Sequence, residues 1–149
     1  MLAIEESRKL SLANLPSLTL FTGADQGQYD IMKTQVLKQI GYDPADLNFV
    51  YFDMKEVDYN SLELELVSLP FFADEKIVIL DHFLDITTAK KRYLSDDELN
   101  SFEEYLENPS PTSKLVIFAE GKLDSKRRLV KILKRDAKIF EALEPKEQE

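Results

Sequence analysis

Apolar and polar positions alternate between two kinds of segment along the 149-residue chain. Short, mostly apolar runs are typical of strands covered on both faces of a parallel sheet, and they span 18–22, 48–54, 76–80, 114–118 and 138–142. Between these runs, residues 26–40, 60–69, 95–107 and 124–134 show helical spacing or helix start and stop signals. The alternation predicts an α/β fold with an open, mostly parallel five-stranded sheet flanked by helices.

The segment that precedes the third predicted strand carries the strongest functional signal. We expect Asn60 and Glu63 to form a capping box that starts a helix, and Pro70 to stop it. Phe71 and Phe72 follow at once, and two adjacent side chains of an extended loop rarely both point inward. The pattern predicts a partner-binding tip with at least one exposed aromatic anchor. Burial of both rings in the core is the competing interpretation.

A phosphate-binding loop would lie directly after the first predicted strand. Such a loop has the pattern G-x-x-x-x-G-K-[ST]. Counted from Gly23, this chain has Gln28 at the second glycine, Tyr29 at the lysine and Asp30 at the hydroxyl residue. The cation that would neutralise a triphosphate is missing, so we predict a tight turn that begins a helix and binds no cofactor.

Asp81 and His82 directly follow the third predicted strand, in a pattern that resembles part of a nucleotide hydrolase site. Asp81 follows an apolar strand, as does the acid that holds Mg²⁺ in nucleotide hydrolases, but without a phosphate loop we expect it to cap the chain there. His82 is the sole histidine, and no cysteine is present. We therefore expect His82 to be structural, and the chain to have neither a catalytic residue nor a metal site.

Composition adds constraints on partners and location. The net charge of −9 repels a phosphate backbone, although residues 121–136 contain seven basic residues and two acidic ones. We expect the helix Lys126–Arg135 to face solvent or another protein more than DNA. The start of the chain lacks the pattern of a secretory signal, and no apolar run approaches the roughly 20 residues of a membrane helix. These features favour a cytoplasmic protein.

Several segments, in this order and spacing, resemble the N-terminal domain of the delta subunit of bacterial DNA polymerase III, a clamp-loader subunit. They are the opening strand and turn at 20–25, the tip and third strand at 68–80, the segment 105–118 and the segment 121–131. The resemblance implies an AAA-type, P-loop NTPase-like fold with a non-functional phosphate loop. It places an AAA-like domain at 1–143 and a polar tail at 144–149, with the family's later domains expected beyond this chain.

The same resemblance implies a function in DNA replication. Leu69, Pro70, Phe71 and Phe72 would form the clamp-binding tip, and the partners would be the sliding clamp and other clamp-loader subunits. The domain would open the clamp without using ATP, as a non-enzymatic part of the polymerase holoenzyme. A nucleotide-binding P-loop-type enzyme with an unusual loop is the alternative, and a scaffold domain with both rings buried is a third possibility.

Overall fold

A single parallel sheet organises the chain, as the computed structural model shows for residues 2–70 and 73–144. Its strands are β1 (Leu18–Gly23), β2 (Phe49–Asp53), β3 (Lys76–Asp81), β4 (Ser113–Glu120) and β5 (Lys138–Glu141). The helices are α1 (Ala3–Ser7), α2 (Gln26–Gln39), α3 (Tyr59–Val67), α4 (Asp96–Glu107) and α5 (Arg128–Asp136), with a 3₁₀ turn at Leu84–Ile86.

The strands lie in the order β2-β3-β4-β1-β5, and each of the four pairings is parallel. Because every strand points the same way, the carboxyl ends of all strands meet at one edge of the sheet. Ligands of open α/β sheets bind at that edge, where the strand order reverses. Here the reversal falls between the neighbouring strands β1 and β4, in which Leu20 pairs with Ile117.

Both faces of the sheet are covered, which explains the apolar runs. One face packs against α3, α4 and α5 and buries Leu62, Leu66 and Phe102. The other face packs against α1 and α2 and contains a stack in which the Phe21 ring lies 5.1 Å from that of Phe118 and 5.2 Å from that of Phe140. Burying one such side chain contributes about 1.5–3 kcal/mol.

The predicted α/β class and the five strands are confirmed, but some details of the prediction are wrong. The helix expected from Asn60 starts one residue earlier, and its N-cap is Asp58 with no side-chain cap, so the expected capping box is absent. The basic helix starts at Arg128 rather than at 124, because the Asp124 carboxylate accepts a hydrogen bond from the Lys126 N–H and forms a turn. The short helix α1 was not predicted.

Candidate functional site

The turn after β1 is closed by its own backbone. Gly23 has φ of +139°, and a Cβ there would lie 2.2 Å from the carbonyl oxygen of Ala142. Its N–H donates to the Gly121 carbonyl at 2.9 Å, and its own carbonyl accepts from the Gly121 N–H at 2.8 Å. Glycine is required at this position because the backbone of the chain beyond β5 occupies the space of a side chain.

Three N–H groups around the start of α2 are already bonded within the protein. The Asp25 carboxylate accepts from the Gln28 N–H at 2.9 Å, and the Tyr29 N–H donates to the Asp25 carbonyl at 2.9 Å. The Asp25 N–H donates to the Ala142 carbonyl at 3.3 Å. A carboxylate therefore occupies the helix N-terminus that a phosphate uses in a nucleotide-binding loop.

The side chains at the start of α2 include a buried phenol and an exposed carboxylate. Tyr29 is buried, and burial, followed by the charges of Glu120, Asp81 and Asp30, raises its pKa well above the usual range. Asp30 is exposed and accepts a hydrogen bond from the Gln26 amide at 2.8 Å. Neither residue supplies a cation, so the turn presents negative charge where a triphosphate would need positive charge.

Lys33 neutralises the acid at the end of β3. Its ammonium group donates to both oxygens of Asp81, at 2.7 and 2.8 Å, and the Asp81 side chain is 3% exposed. The Tyr51 hydroxyl donates to the same carboxylate, which helps to raise the pKa of that tyrosine, after burial as the main cause. The acid that would hold Mg²⁺ in a hydrolase is saturated by groups of this chain.

His82 has a structural role in the same network. Its backbone lies in the left-handed region at φ of 58°, and its N–H donates to Asp81 Oδ1 at 2.9 Å. Its Nδ1 lies 2.6 Å from Glu120 Oε2, at the end of the neighbouring strand β4. The network therefore ties the ends of β3 and β4 together.

At the opposite edge of the sheet, a buried lysine fixes the start of the expected tip. Lys76 is 3% exposed, and its ammonium group donates to Glu65 at 3.0 Å and to the Ser68 hydroxyl at 2.7 Å. These bonds hold the end of α3 against the start of β3. Pro70 is half-buried, whereas Phe71 and Phe72 lie outside the described residues, so the prediction for their rings stays a prediction.

Exposed apolar side chains gather on the approach to that segment. Leu64 is 69% exposed, Val67 58% and Leu69 73%. Four other large apolar side chains of the described residues are comparably exposed, and they are dispersed along the chain at 12, 31, 47 and 51. Leu69 was expected at the tip, but Leu64 and Val67 were missed.

Other features of the described residues bear on function by what they lack. No group of three or more His, Cys, Asp or Glu side chains in 2–70 and 73–144 could hold a metal ion. Within the same residues, no helix is both long enough and apolar enough to cross a bilayer.

Comparison with known proteins settles the family. A family model described as DNA polymerase III, delta subunit, matches residues 20–143. The chain belongs to this family. The DNA polymerase III subunit delta of Bacillus subtilis is 27% identical over 106 residues, which cover 70% of this chain and 30% of that protein. The resemblance stated from the sequence is thereby confirmed.

Solved structures share the fold. The DNA clamp loader delta protein of Bacillus subtilis superposes with a TM-score of 0.74 at 23% identity, covering 95% of this chain and 42% of that one. A DNA polymerase III gamma subunit-related protein of Thermotoga maritima gives a TM-score of 0.57 at 15% identity, covering 98% and 47%. The chain thus spans less than half the length of these relatives.

Proposed function

We propose that this delta-family chain binds a sliding clamp through the segment that runs from Leu64 to Phe72. The observation that carries the proposal is the clustering of exposed Leu64, Val67 and Leu69 directly before Pro70. Isolated exposed apolar side chains are common, but a group of them marks an interaction surface. Phe71 and Phe72 would add the aromatic anchors that dominate many protein interfaces.

The contacts of Lys76 hold the start of this segment, at Glu65 and Ser68, in place before binding. Its bonds to Glu65 and Ser68 fix both the last turn of α3 and the first residue after it. Pro70 restricts the backbone two residues later. Because less conformational entropy is then lost on association, more of the contact energy remains as affinity.

We infer that clamp opening by this domain is a matter of differential binding. A protein that binds the closed and the opened ring equally well shifts neither population. The apolar segment and its surroundings would have to fit the opened clamp better than the closed clamp. No hydrolysis is needed for that step, and ATP would be used by other subunits of the clamp loader.

The contacts at the carboxyl edge of the sheet support an ATP-independent role. The N–H groups of Asp25, Gln28 and Tyr29 are bonded within the protein, and Asp81 is paired with Lys33. A nucleotide that used these groups would first have to break the bonds that they make within the protein. Calorimetric titration with ATP and Mg²⁺ should give no saturable heat, whereas a micromolar dissociation constant would favour the alternative of a nucleotide-binding enzyme.

The clamp contact can be tested with a matched set of variants. The Phe71→Ala, Phe72→Ala double variant should weaken binding to a bacterial sliding clamp by about 2–4 kcal/mol per anchoring ring, measured by surface plasmon resonance. Its melting temperature should change little. Ile31→Ala is the control, because Ile31 is 54% exposed on α2, which covers the other face of the sheet.

Two outcomes would contradict the proposal. Clamp binding that survives the double variant would place the site elsewhere. A double variant that unfolds would show that both rings belong to the core. Leu69→Ala then serves as a second test, because its side chain is 73% exposed and its loss should weaken clamp binding without unfolding the domain.

A further inference from the structure

Two loops that follow the carboxyl ends of β3 and β4 are joined by their backbones. The Thr88 N–H donates to the Lys122 carbonyl at 2.8 Å. Thr87 and Leu123 form an isolated antiparallel bridge next to this bond. The pairing places the loop between β3 and α4 beside the loop between β4 and α5, although α4 and β4 separate the two along the chain.

Cations collect on these two loops. Residues 88–92 contain three basic side chains and no acidic one, and residues 121–127 contain three basic side chains and a single acidic one. Five of these cations are exposed and define what we call the basic patch: Lys90, Lys91, Arg92, Lys122 and Lys126. Within residues 2–70 and 73–144, none of the five forms an ion pair with a carboxylate.

The acids closest to the basic patch along the chain are paired with other groups. The Asp124 carboxylate lies 3.5 Å from the Arg127 guanidinium, and the Glu120 carboxylate lies 2.6 Å from the His82 ring. Exposed acids resume in the first turn of α4. The whole chain has a net charge of −9, but charges more than about 8–10 Å from a bound polyanion are largely screened at physiological salt. The local cations therefore decide what binds here.

The loop that carries three of the five cations is held at both ends. Its first residue is bonded to the loop after β4, as described above. At its other end, the buried Asp85 carboxylate accepts from the two N–H groups that directly follow the loop, at 2.8 and 2.9 Å. Within the loop, Nη1 of Arg92 donates to the carbonyls of Ala89 at 3.0 Å and Lys91 at 2.8 Å. Because the loop is ordered before binding, less conformational entropy is lost on association.

The chemistry of this surface favours a phosphate backbone over a protein partner. The core of a protein interface is enriched in aromatic and other apolar side chains. The exposed large apolar side chains of the described residues lie at 12, 31, 47, 51, 64, 67 and 69, and none lies on either loop. Contacts to a phosphate backbone come instead from Lys, Arg, Ser and Thr side chains. Thr88 and Ser125 add exposed hydroxyl residues to the same two loops.

We propose that the basic patch binds the phosphodiester backbone of a nucleic acid. This chemistry is common to a single strand and a duplex, and it carries no sequence preference. Lys126 precedes α5, and none of the cations of α5 itself belongs to the patch. The apolar segment 64–72 does not contribute to it either, so the patch can be tested separately from the clamp contact.

Fluorescence anisotropy of a labelled DNA strand and of its duplex, titrated with the 149-residue chain, gives a direct assay. At about 50 mM salt, we expect a dissociation constant on the order of 10⁻⁵ to 10⁻⁴ M, as for other non-specific binding. A salt series adds a second readout. If all five cations contact phosphates, the slope of log K against log salt should be about −3.5 for the strand and about −4.5 for the duplex.

Charge variants locate the binding surface. The Lys90→Gln, Lys91→Gln, Arg92→Gln triple variant should weaken binding about tenfold or more and reduce the salt slope by about two to three. The Lys122→Gln, Lys126→Gln double variant should weaken it about threefold or more, with a slope reduced by about one to two.

A matched control removes the same charge elsewhere. Lys9, Lys38 and Lys55 are exposed and lie outside the two loops, so their triple change to Gln should alter the affinity by less than about threefold. Melting temperatures check that each variant folds, and the double variant decides if the patch triple variant does not.

Three outcomes would overturn the proposal. Equal losses in the control and the patch triple variants would mean that binding responds to net charge alone. Anisotropy that does not saturate with either form of DNA would exclude a phosphate-backbone site. Poly-glutamate that competes as well as DNA at equal charge would indicate an acidic protein segment as the ligand. Saturation by the strand alone or by the duplex alone would support the proposal and identify the form that binds.

Discussion

Replacing Lys33 by methionine tests whether the acid at the end of β3 depends on a cation from this chain. Methionine keeps the unbranched stem of the lysine but removes the ammonium group that donates to both oxygens of Asp81 at 2.7 and 2.8 Å. The carboxylate would keep its bonds from the Tyr51 hydroxyl and the His82 N–H. We therefore expect a destabilised but folded domain.

The magnitude follows from distance and burial. Two unit charges 2.7 Å apart attract by roughly 6 kcal/mol at an effective dielectric constant of about 20, before the cost of desolvating both groups is subtracted. Removing one partner of a fully buried pair costs about 3–5 kcal/mol. Lys33 is 20% exposed and two donors remain on Asp81, so Lys33→Met should lower the free energy of unfolding by about 2–3 kcal/mol.

A double-mutant cycle isolates the pair from other effects of either change. Asp81→Asn removes the charge at the other end, and the Lys33→Met, Asp81→Asn double variant should lose less than the two single losses added together. We expect a coupling of about 1–3 kcal/mol, measured by urea unfolding at neutral pH. A loss below about 0.5 kcal/mol for Lys33→Met, or a coupling near zero, would refute the account, because such values are typical of a solvated surface pair.

Three further changes test other contacts of the sheet. Burial keeps the Tyr29 phenol neutral when folded, so stability is intact below the unfolded pKa of about 10 and should fall by about 1.4 kcal/mol per pH unit above it; Tyr29→Phe should flatten that part of a pH series of melting temperatures. Gly23→Ala would place a Cβ 2.2 Å from the Ala142 carbonyl oxygen, so it should cost about 3 kcal/mol or more in urea unfolding, and a mild effect would contradict the packing. Ser95→Ala removes the hydroxyl of a complete capping box on α4 and should cost about 1 kcal/mol in the same assay, with Ser101→Ala on the same helix as the control.

The strands could be predicted from the sequence because the residue types of each strand reflect how deeply that strand is buried. Because the sheet is covered on both faces, every position of β3 is buried and most of its residues are apolar. The apolar run of β3 can therefore be recognised without knowing which strands lie beside it. The signal for the start of α4 is also local, since Ser95 and Glu98 form the capping box within one helical turn. In both cases, the signal and the structure it specifies share the same few residues.

The parts of the site that were missed depend on the three-dimensional arrangement. Lys33 and Asp81 are 48 residues apart, and their contact follows only once α2 is placed over the ends of β1 and β3. Leu62, Leu64 and Leu66 alternate with acids, as they would on a strand, so the pattern alone does not assign Leu64 to a buried or an exposed face. In the helix, Leu62 and Leu66 are four residues apart and point into the core, so Leu64 faces solvent. The spacing of Lys33 four residues after Tyr29 places both on one face of α2 but does not indicate Asp81 as a partner.

The turn in the place of a phosphate-binding loop and the exposed apolar side chains before β3 lie at opposite edges of the sheet. The turn after β1 and the Lys33–Asp81 pair lie at the carboxyl edge, whereas the apolar segment precedes β3 and therefore lies at the amino edge. A six-residue strand separates the two by about 20 Å. At the carboxyl edge, the Lys33 ammonium group bonds Asp81 at the end of β3. In a nucleotide hydrolase, the metal bound with the nucleotide would contact the acid at this position. Under the proposed function, any control of the apolar segment by ATP would then have to reach it from a neighbouring subunit, through contacts made outside the nucleotide site of this chain.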